Sequence, residues 1–382
     1  MINSDQKPML RFLMVLTIAS MLGLQTWMIL FNNFAVEVAG VSGQQVGAIQ
    51  SVREIPGFLA LLAVYIMLII PEHRLSALSI VLLGAGTAAA GFYPSYVGLL
   101  ATTLIMSFGF HYYETTNQSL TLQYFDKTTS PVVFGRLRSL AAAANIAAGL
   151  VIFLLGAILG YKAMYLCMGG AVAVAGLWAL FQDPTDRSLV PQHRKMIFRR
   201  RYGLYYFLTF MAGARRQIFI AFSVFLLVKI FNFSVREVTI LFVVNNVVNY
   251  FLSPLIGKAI LRFGERRVLT VEYAGLILIF LTYAFTSSKI IVTVMYILDH
   301  VLFNFAIAIR TYFQKVADPK DIAPSMAMGF TINHIAAVVM PVLGGLVWMI
   351  DYRIPFVAGA FFSLISLFAV QKIPLFISEA KQ

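Results

Sequence analysis

Charge and cysteine are both scarce in this chain of 382 residues: 12% are Asp, Glu, Lys or Arg, and there is 1 Cys. A soluble domain carries roughly 25% charged residues, so a water-facing surface of ordinary extent cannot be assembled from this composition. The lone Cys167 lies inside an apolar run and excludes an intrachain disulfide scaffold. No C-x-x-C, H-x-x-x-H or H-E-x-x-H spacing occurs, which removes the familiar zinc arrangements; no metal and no cofactor are expected.

What the chain has in abundance is apolar surface. Hydrophobic residues make up 60% of it, 33 residues are Phe, and the mean hydropathy is +0.84. A core able to hide that much apolar area exceeds what a chain of this length encloses, so the natural solvent is lipid. A helix needs about 20 apolar residues to cross a hydrocarbon core of about 30 Å. Twelve such runs are present, at roughly 10–36, 44–70, 75–93, 95–124, 132–159, 162–181, 202–230, 235–257, 267–286, 289–313, 323–350 and 354–371. The expected fold class is an all-α integral membrane protein.

The formal net charge is +13, but the basic residues are scattered between apolar blocks instead of forming a solvated stripe, and no nucleic-acid partner is expected. Their positions follow the rule that short loops rich in Lys and Arg stay in the cytoplasm. With a cytoplasmic amino terminus, the inside segments hold Arg11, Arg74, Lys127, Arg136, Arg138, Arg262, Arg266, Arg267, Arg310 and Lys315, while the outside loops keep only Lys162, Lys229, Arg236, Lys289 and Arg353. This places the chain in a cell (inner or plasma) membrane as a multi-pass protein with both termini cytoplasmic. The first run is too long for a signal-peptide core and lacks a small-residue cleavage site, so it reads as a permanent anchor.

One polar stretch is long, Gln182 to Arg201. It divides the chain into an amino-terminal bundle of six spans (1–181), a basic cytoplasmic linker (182–201) and a carboxy-terminal bundle of six (202–382). The halves share a local feature: Ser42-Gly43-Gln44-Gln45 opens the second span and Ser234-Val235-Arg236-Glu237 the eighth, both in the S-x-x-E/Q form of a capping box. Superposing the caps aligns Arg53-Glu54 with Asn245-Asn246 at equal depth, as expected of a duplicated transporter fold.

Twelve spans as six plus six, with a basic central linker and both termini inside, resemble the major facilitator superfamily of secondary transporters. That family carries G-x-x-x-D-R-x-G-R-R/K in its gating loops, and Gly257 to Arg267, containing Arg262, Gly264, Glu265, Arg266 and Arg267, is similar to it. Leu261 stands where the family's acid sits and Glu265 where its first late base sits, and Pro71-Glu72-His73-Arg74 in the first half has lost the pattern. Pro341-Val342-Leu343-Gly344-Gly345 in span eleven is similar to an element that drug exporters carry in span five, where this chain has only Gly149, Gly156 and Gly160, read as helix-packing glycines. The resemblance implies a central cavity lined by spans one, four, seven and ten.

Ionisable residues at mid-membrane are costly and mark functional sites by default. Arg53 lies about 16 Å past its helix cap, near the midplane, and its neighbour Glu54 is about 100° away around the helix, so each is expected to pair with another span. Arg215 and Arg216 in span seven reach a similar depth, as do Asp299 and His300 in span ten. The two arginines either clamp a carboxylate or phosphate or pair with the embedded acids. In span four, His111 and Glu114 are i and i+3, with Tyr112 beside them, a spacing suited either to a proton relay or to an interhelical hydrogen-bond knot in which Glu114 pairs with an arginine. Gln25 and Asn33 in span one, and Asn245 and Asn249 in span eight, suit hydroxyl or carboxylate recognition or helix association.

The expectation is a secondary transporter that moves a small polar, anionic organic solute by alternating access, coupled to protons, and acts as a monomer. Substrate contacts fall to Arg53, Arg215, Arg216, Gln25, Asn33, Tyr112, Asn245, Asn249 and His300, and proton coupling to Glu54, His111, Glu114 and Asp299. The alternative is proton-coupled efflux of drugs or amphiphiles, against which the three central bases argue. No nucleophile or metal accompanies His111 and Glu114, so an enzyme is not expected.

Overall fold

The computed structural model describes residues 3–156, 158–186, 189–193, 195–233 and 235–379, and every regular element among them is a helix. Eleven stretches are long and apolar enough to cross a membrane, from Lys7–Glu37 to Ile354–Ser378. The remaining span, Tyr96–Tyr124, has the length, 29 residues, and carries the polar tract that lowers its hydropathy. Twelve helical spans thus follow the order read from the sequence. Large apolar side chains such as Ile69, Phe153, Ile290 and Leu346 point outward, as a lipid-facing surface requires.

By packing, the chain forms two units. The first comprises Met1–Phe125, Leu140–Met196 and Lys320–Thr331; the second comprises Asp126–Ser139, Ile197–Pro319 and Ile332–Gln382. The first turns of span five therefore pack with the second unit, and the start of span eleven with the first.

In the first unit, span three (Glu72–Ala90) is held between spans four and six. A Cβ at Gly84 or Gly169 would collide with the backbone of Ala173 or Ala88, and one at Gly109 with Leu83. These glycines bring helices into backbone contact, the device by which membrane helices associate. Gly149 and Gly160 of span five, expected to do this, have open space where a Cβ would stand. The Gln192–His193 part of the linker docks on the start of span eleven: His193 N–H donates to the Lys320 carbonyl (2.8 Å), its Nδ1 lies 2.7 Å from Asp321, and Ala323 N–H donates to Gln192 Oε1.

Three spans are broken beside the polar residues singled out above. Span two runs as Gly43–Phe58 with Pro56 inside it, then as a 3₁₀ segment, Leu59–Leu62, and a short helix, Ala63–Ile66. Proline cannot donate the helical hydrogen bond and its ring clashes with the preceding turn; in the 3₁₀ segment that follows, Leu61 N–H donates to Thr331 Oγ1 (2.9 Å). Span seven runs Gly203–Ile218, then a π segment, Phe219–Ser223, then Val224–Lys229. Span ten runs Lys289–Phe303, then 3₁₀ Asn304–Ala306, then Ile307–Val316. Irregular backbone at membrane depth is tolerated where it is buried in protein or lines a cavity.

The capping box at Ser42 is formed: its hydroxyl accepts from Gln45 N–H and Gln45 Oε1 accepts from Ser42 N–H. Its counterpart at Ser234 lies outside the described residues. The sequence reading ends span eight near residue 257, whereas the helix continues as Val235–Phe263, so Gly257 and Arg262 are helical and not part of a loop. The turn falls at Gly264, whose φ of +78° favours glycine. Gly257 abuts the backbone of Pro131, and Ser139 Oγ donates to the Tyr250 carbonyl (2.7 Å), fastening the start of span five to span eight within the second unit. That start is set by Asp126. Partial burial pushes its carboxyl up, but hydrogen bonds from Thr128 and Thr129 outweigh this and hold it below the usual carboxylate range.

Candidate functional site

Each unit gathers its own polar group. In the first, Trp27 of span one, Arg53 and Glu54 of span two, and His111 of span four come together. Trp27 donates to Thr103 Oγ1 (3.2 Å) and stacks on Phe31, while the Arg53 guanidinium lies 5.2 Å from the Trp27 ring centre. Arg53 and Glu54 were expected to pair with other spans. They pair with each other, Nη2 to Oε1 at 2.7 Å and Nε to Oε1 at 3.2 Å. The long arginine stem curls back across the angular gap, which a rule built on Cβ directions does not foresee. Ser107 Oγ donates to the Arg53 carbonyl, tying spans two and four.

A carboxylate oxygen of Glu54 and a ring nitrogen of His111 lie within 4.8 Å of one another. The acid beside His111 is therefore contributed by span two, in addition to Glu114, which is half-buried on His111's own helix. Tyr112 donates to the Leu59 carbonyl (3.3 Å) at the span-two break, so its hydroxyl has a structural task. Gln25 is half-buried. Asn33 sits near the end of span one, where its amide donates to Glu37 (3.0 Å) and Tyr161 donates to the same carboxylate. Four residues from a helix end is not mid-membrane, so Asn33 does not belong with the deep polar group.

In the second unit, the pair Arg215 and Arg216 diverges. Arg215 is 3% exposed. Its Nη1 donates to Ser366 Oγ, its Nη2 lies 4.0 Å from Glu272 Oε1, and its guanidinium covers the Tyr273 ring at 4.4 Å. Arg216 is half-buried and lies 5.6 Å from the Phe303 ring centre. The two adjacent guanidiniums thus meet different rings. Asp299 is buried beside Tyr283, Tyr296 and Glu272. Oδ2 of Asp299 and Oε2 of Glu272 have no hydrogen-bond partner among the described residues. Both acids line a small cavity of about 20 Å³ together with Arg215, Arg216, Phe219 and Phe303. That is room for about one water, or for one polar group of a solute.

His300 packs edge-on against Phe219 at 4.9 Å. Asn249 accepts from Asn304 Nδ2 (2.7 Å), which also donates to the His300 carbonyl (3.1 Å) left over at the 3₁₀ break, and Asn304 Oδ1 accepts from Arg138 Nε (2.9 Å). Asn245 is 2% exposed, and neither of its amide atoms has a partner among the described residues. At the far end of span eight, Arg262, Arg266 and Arg267 are exposed, while Glu265 is buried and bridged by Lys315 at 2.7 Å.

Sequence reasoning did not single out Glu272 or Ser366 as members of this group. A lone acid in the apolar run after Val268 was the available signal for Glu272. In the sequence Arg138 reads as a topological base; the span-ten break places Asn304 against it.

Ionisable and amide side chains beside irregular backbone at membrane depth are features that transporters use at their binding sites. The family profile of the Major Facilitator Superfamily matches residues 12–321 and again 205–376. The chain belongs to that superfamily. Members of the superfamily are membrane transporters, so transport of a small molecule follows from the assignment. Comparison with curated proteins returns no significant match. Among solved structures, the chain is similar to the human organic anion transporter MFSD10 (TETRAN), with 12% identity, 97% of this chain and 100% of that chain covered, and a TM-score of 0.77. It is similar to the E. coli fucose:proton symporter FucP (14%, 97% and 99%, 0.76). It is also similar to a bacterial homologue of the iron transporter ferroportin (13%, 99% and 100%, 0.73). At these identities the likeness concerns the superfamily fold alone.

Proposed function

We propose that this carrier moves a small anionic organic solute by alternating access and couples the movement to protons. The observation that carries the reading is the group around Arg215, Arg216, Glu272 and Asp299, where two guanidiniums and two buried carboxyls share one cavity lining. A guanidinium attracts carboxylate or phosphate through paired hydrogen bonds. The carboxyls can give up their charge by binding a proton, leaving the cavity cationic when the anion arrives and neutral in sum after it leaves. Arg216, Asn245, Asn249 and His300 are the proposed solute contacts, with Arg215 positioning Glu272 beneath them. Glu272 and Asp299 are the proposed proton acceptors in this unit, and Glu54, His111 and Glu114 those of the first.

A named organic anion transporter and a proton symporter among the structural relatives agree with this chemistry. The proposed setting is a plasma or inner membrane, with both termini cytoplasmic and the 182–201 linker joining two six-span halves of a monomer. Drug efflux is disfavoured because bases are as numerous as acids in the cavity lining.

The test is thermal stabilisation of the purified protein against organic anions, lipophilic cations and neutral amphiphiles, since a ligand that binds only the folded state raises the midpoint by mass action. Stabilisation by carboxylates that disappears in Arg216→Gln is the expected result. Stabilisation by lipophilic cations alone would overturn the reading in favour of drug export.

A further inference from the structure

Arg138 stands beside the Phe303 ring of the second unit's cavity and has been given no part in it so far. Phe303 lines the cavity, and its ring is approached by two guanidiniums, Arg216 at 5.6 Å and Arg138 at 5.7 Å. The two reach it from different spans: Arg216 stands just before the π segment of span seven, and Arg138 lies in the first turns of span five, the segment that packs with this unit. Since each lies within about 6 Å of one ring centre, their guanidinium carbons are no more than about 11 Å apart, close enough for one small molecule to reach both.

The orientation of Arg138 is built and not incidental. Asn304 Oδ1 accepts from its Nε at 2.9 Å, and Asn304, 3% exposed, is itself fixed by Asn249 and by the His300 carbonyl. A guanidinium held by its Nε has a defined plane, the condition for paired hydrogen bonds to a carboxylate. Arg138 is also exposed, unlike Arg215, which is enclosed by Ser366, Glu272 and Tyr273. Charge supports the same conclusion. Arg138, Arg215 and Arg216 exceed Glu272 and Asp299 by one, and protonation of the two acids widens the excess to three. The aromatic face of Phe303 offsets only a small part of that excess.

We propose that Arg138 and Arg216 form a two-point site for a dianion, a dicarboxylate of short chain, whose carboxylates each engage one guanidinium while the chain between them lies against Phe303. This rests on the anion reading above and specifies the substrate class. Arg138 supplies the second point of recognition and Asn304 positions it.

The experiment measures binding of succinate, adipate and butyrate to the full purified chain by calorimetry, for the wild type and for Arg138→Gln, Arg138→Lys and Arg216→Gln, each checked for its unfolding midpoint. The expected result is that Arg138→Gln weakens one or both dicarboxylates by about ten- to hundredfold, the worth of a charge-assisted hydrogen-bond pair, and leaves butyrate within about twofold. Arg216→Gln weakens all ligands it contacts, butyrate included. Arg138→Lys, which keeps the charge and loses the planar fork, falls between and provides the readout should the glutamine variant not fold. Equal weakening of butyrate and the dicarboxylates by Arg138→Gln, or no weakening of either, overturns the two-point site while leaving the anion reading intact. Failure of all three acids to bind the wild type overturns both.

Discussion

Replacing Arg215 by leucine should cost stability before it costs recognition. The guanidinium is 3% exposed, and around it stand the Ser366 hydroxyl, the Tyr273 ring and the carboxylate of Glu272, itself 3% exposed. Arg215→Leu removes the cation paired with Glu272 and leaves that carboxylate buried without its partner. Breaking a buried ion pair from one side costs about 3–5 kcal/mol because the surviving charge stays desolvated. At about 2–4 °C per kcal/mol for a unit of this size, the unfolding midpoint should fall by roughly 6–20 °C. Removing both partners is different, since an apolar replacement leaves no orphaned charge. Arg215→Leu combined with Glu272→Leu should therefore recover most of the loss. Arg216→Leu, half-buried over Phe303, should cost no more than about 2 kcal/mol. The assay is tryptophan fluorescence during heating in detergent, run alongside anion binding. An Arg215→Leu protein with an unchanged midpoint and abolished anion binding would refute the argument, because it would make Arg215 a ligand group and not a strut.

Three further outcomes follow from the packing. Gly84→Val places a side chain where the Ala173 backbone stands and should prevent spans three and six from meeting, with loss of folded protein in size-exclusion chromatography, whereas Gly149→Val meets open space and should leave the elution profile unchanged. Ser42→Ala removes one arm of the capping box on span two and should cost about 1 kcal/mol, seen as a lower midpoint and faster amide exchange over residues 43–46. Lys315→Ala leaves Glu265 buried without its cation, and should lower the midpoint by more than Lys289→Ala, whose partner Glu237 is exposed.

The count and order of spans are legible in the sequence because lipid imposes a length and a hydropathy that no soluble helix needs. Arg215, Arg216, Asp299 and His300 were legible as candidates for the same reason: each interrupts an apolar run at depth. Their partners were not. Arg53 reaches back to Glu54 through side-chain torsions that helix periodicity does not describe. Glu272 is a single acid within a span otherwise ordinary. Of the three backbone breaks, Pro56 announces one, but the π segment after Arg216 and the 3₁₀ segment at Asn304 have no residue that demands them and arise from packing between distant spans. The segment 126–139 reads as the start of a first-half helix, and only tertiary contacts assign it, and with it Arg138, to the second unit.

The most direct test of the central claim is dicarboxylate uptake into vesicles reconstituted with the full chain, with an inwardly directed proton gradient and a pH-sensitive dye sealed inside. The account predicts that labelled succinate accumulates above its external concentration, that the interior acidifies with it, and that Glu272→Gln with Asp299→Asn uncouples the two. Gradient-driven expulsion of a lipophilic cation, with no movement of any carboxylate, would contradict it.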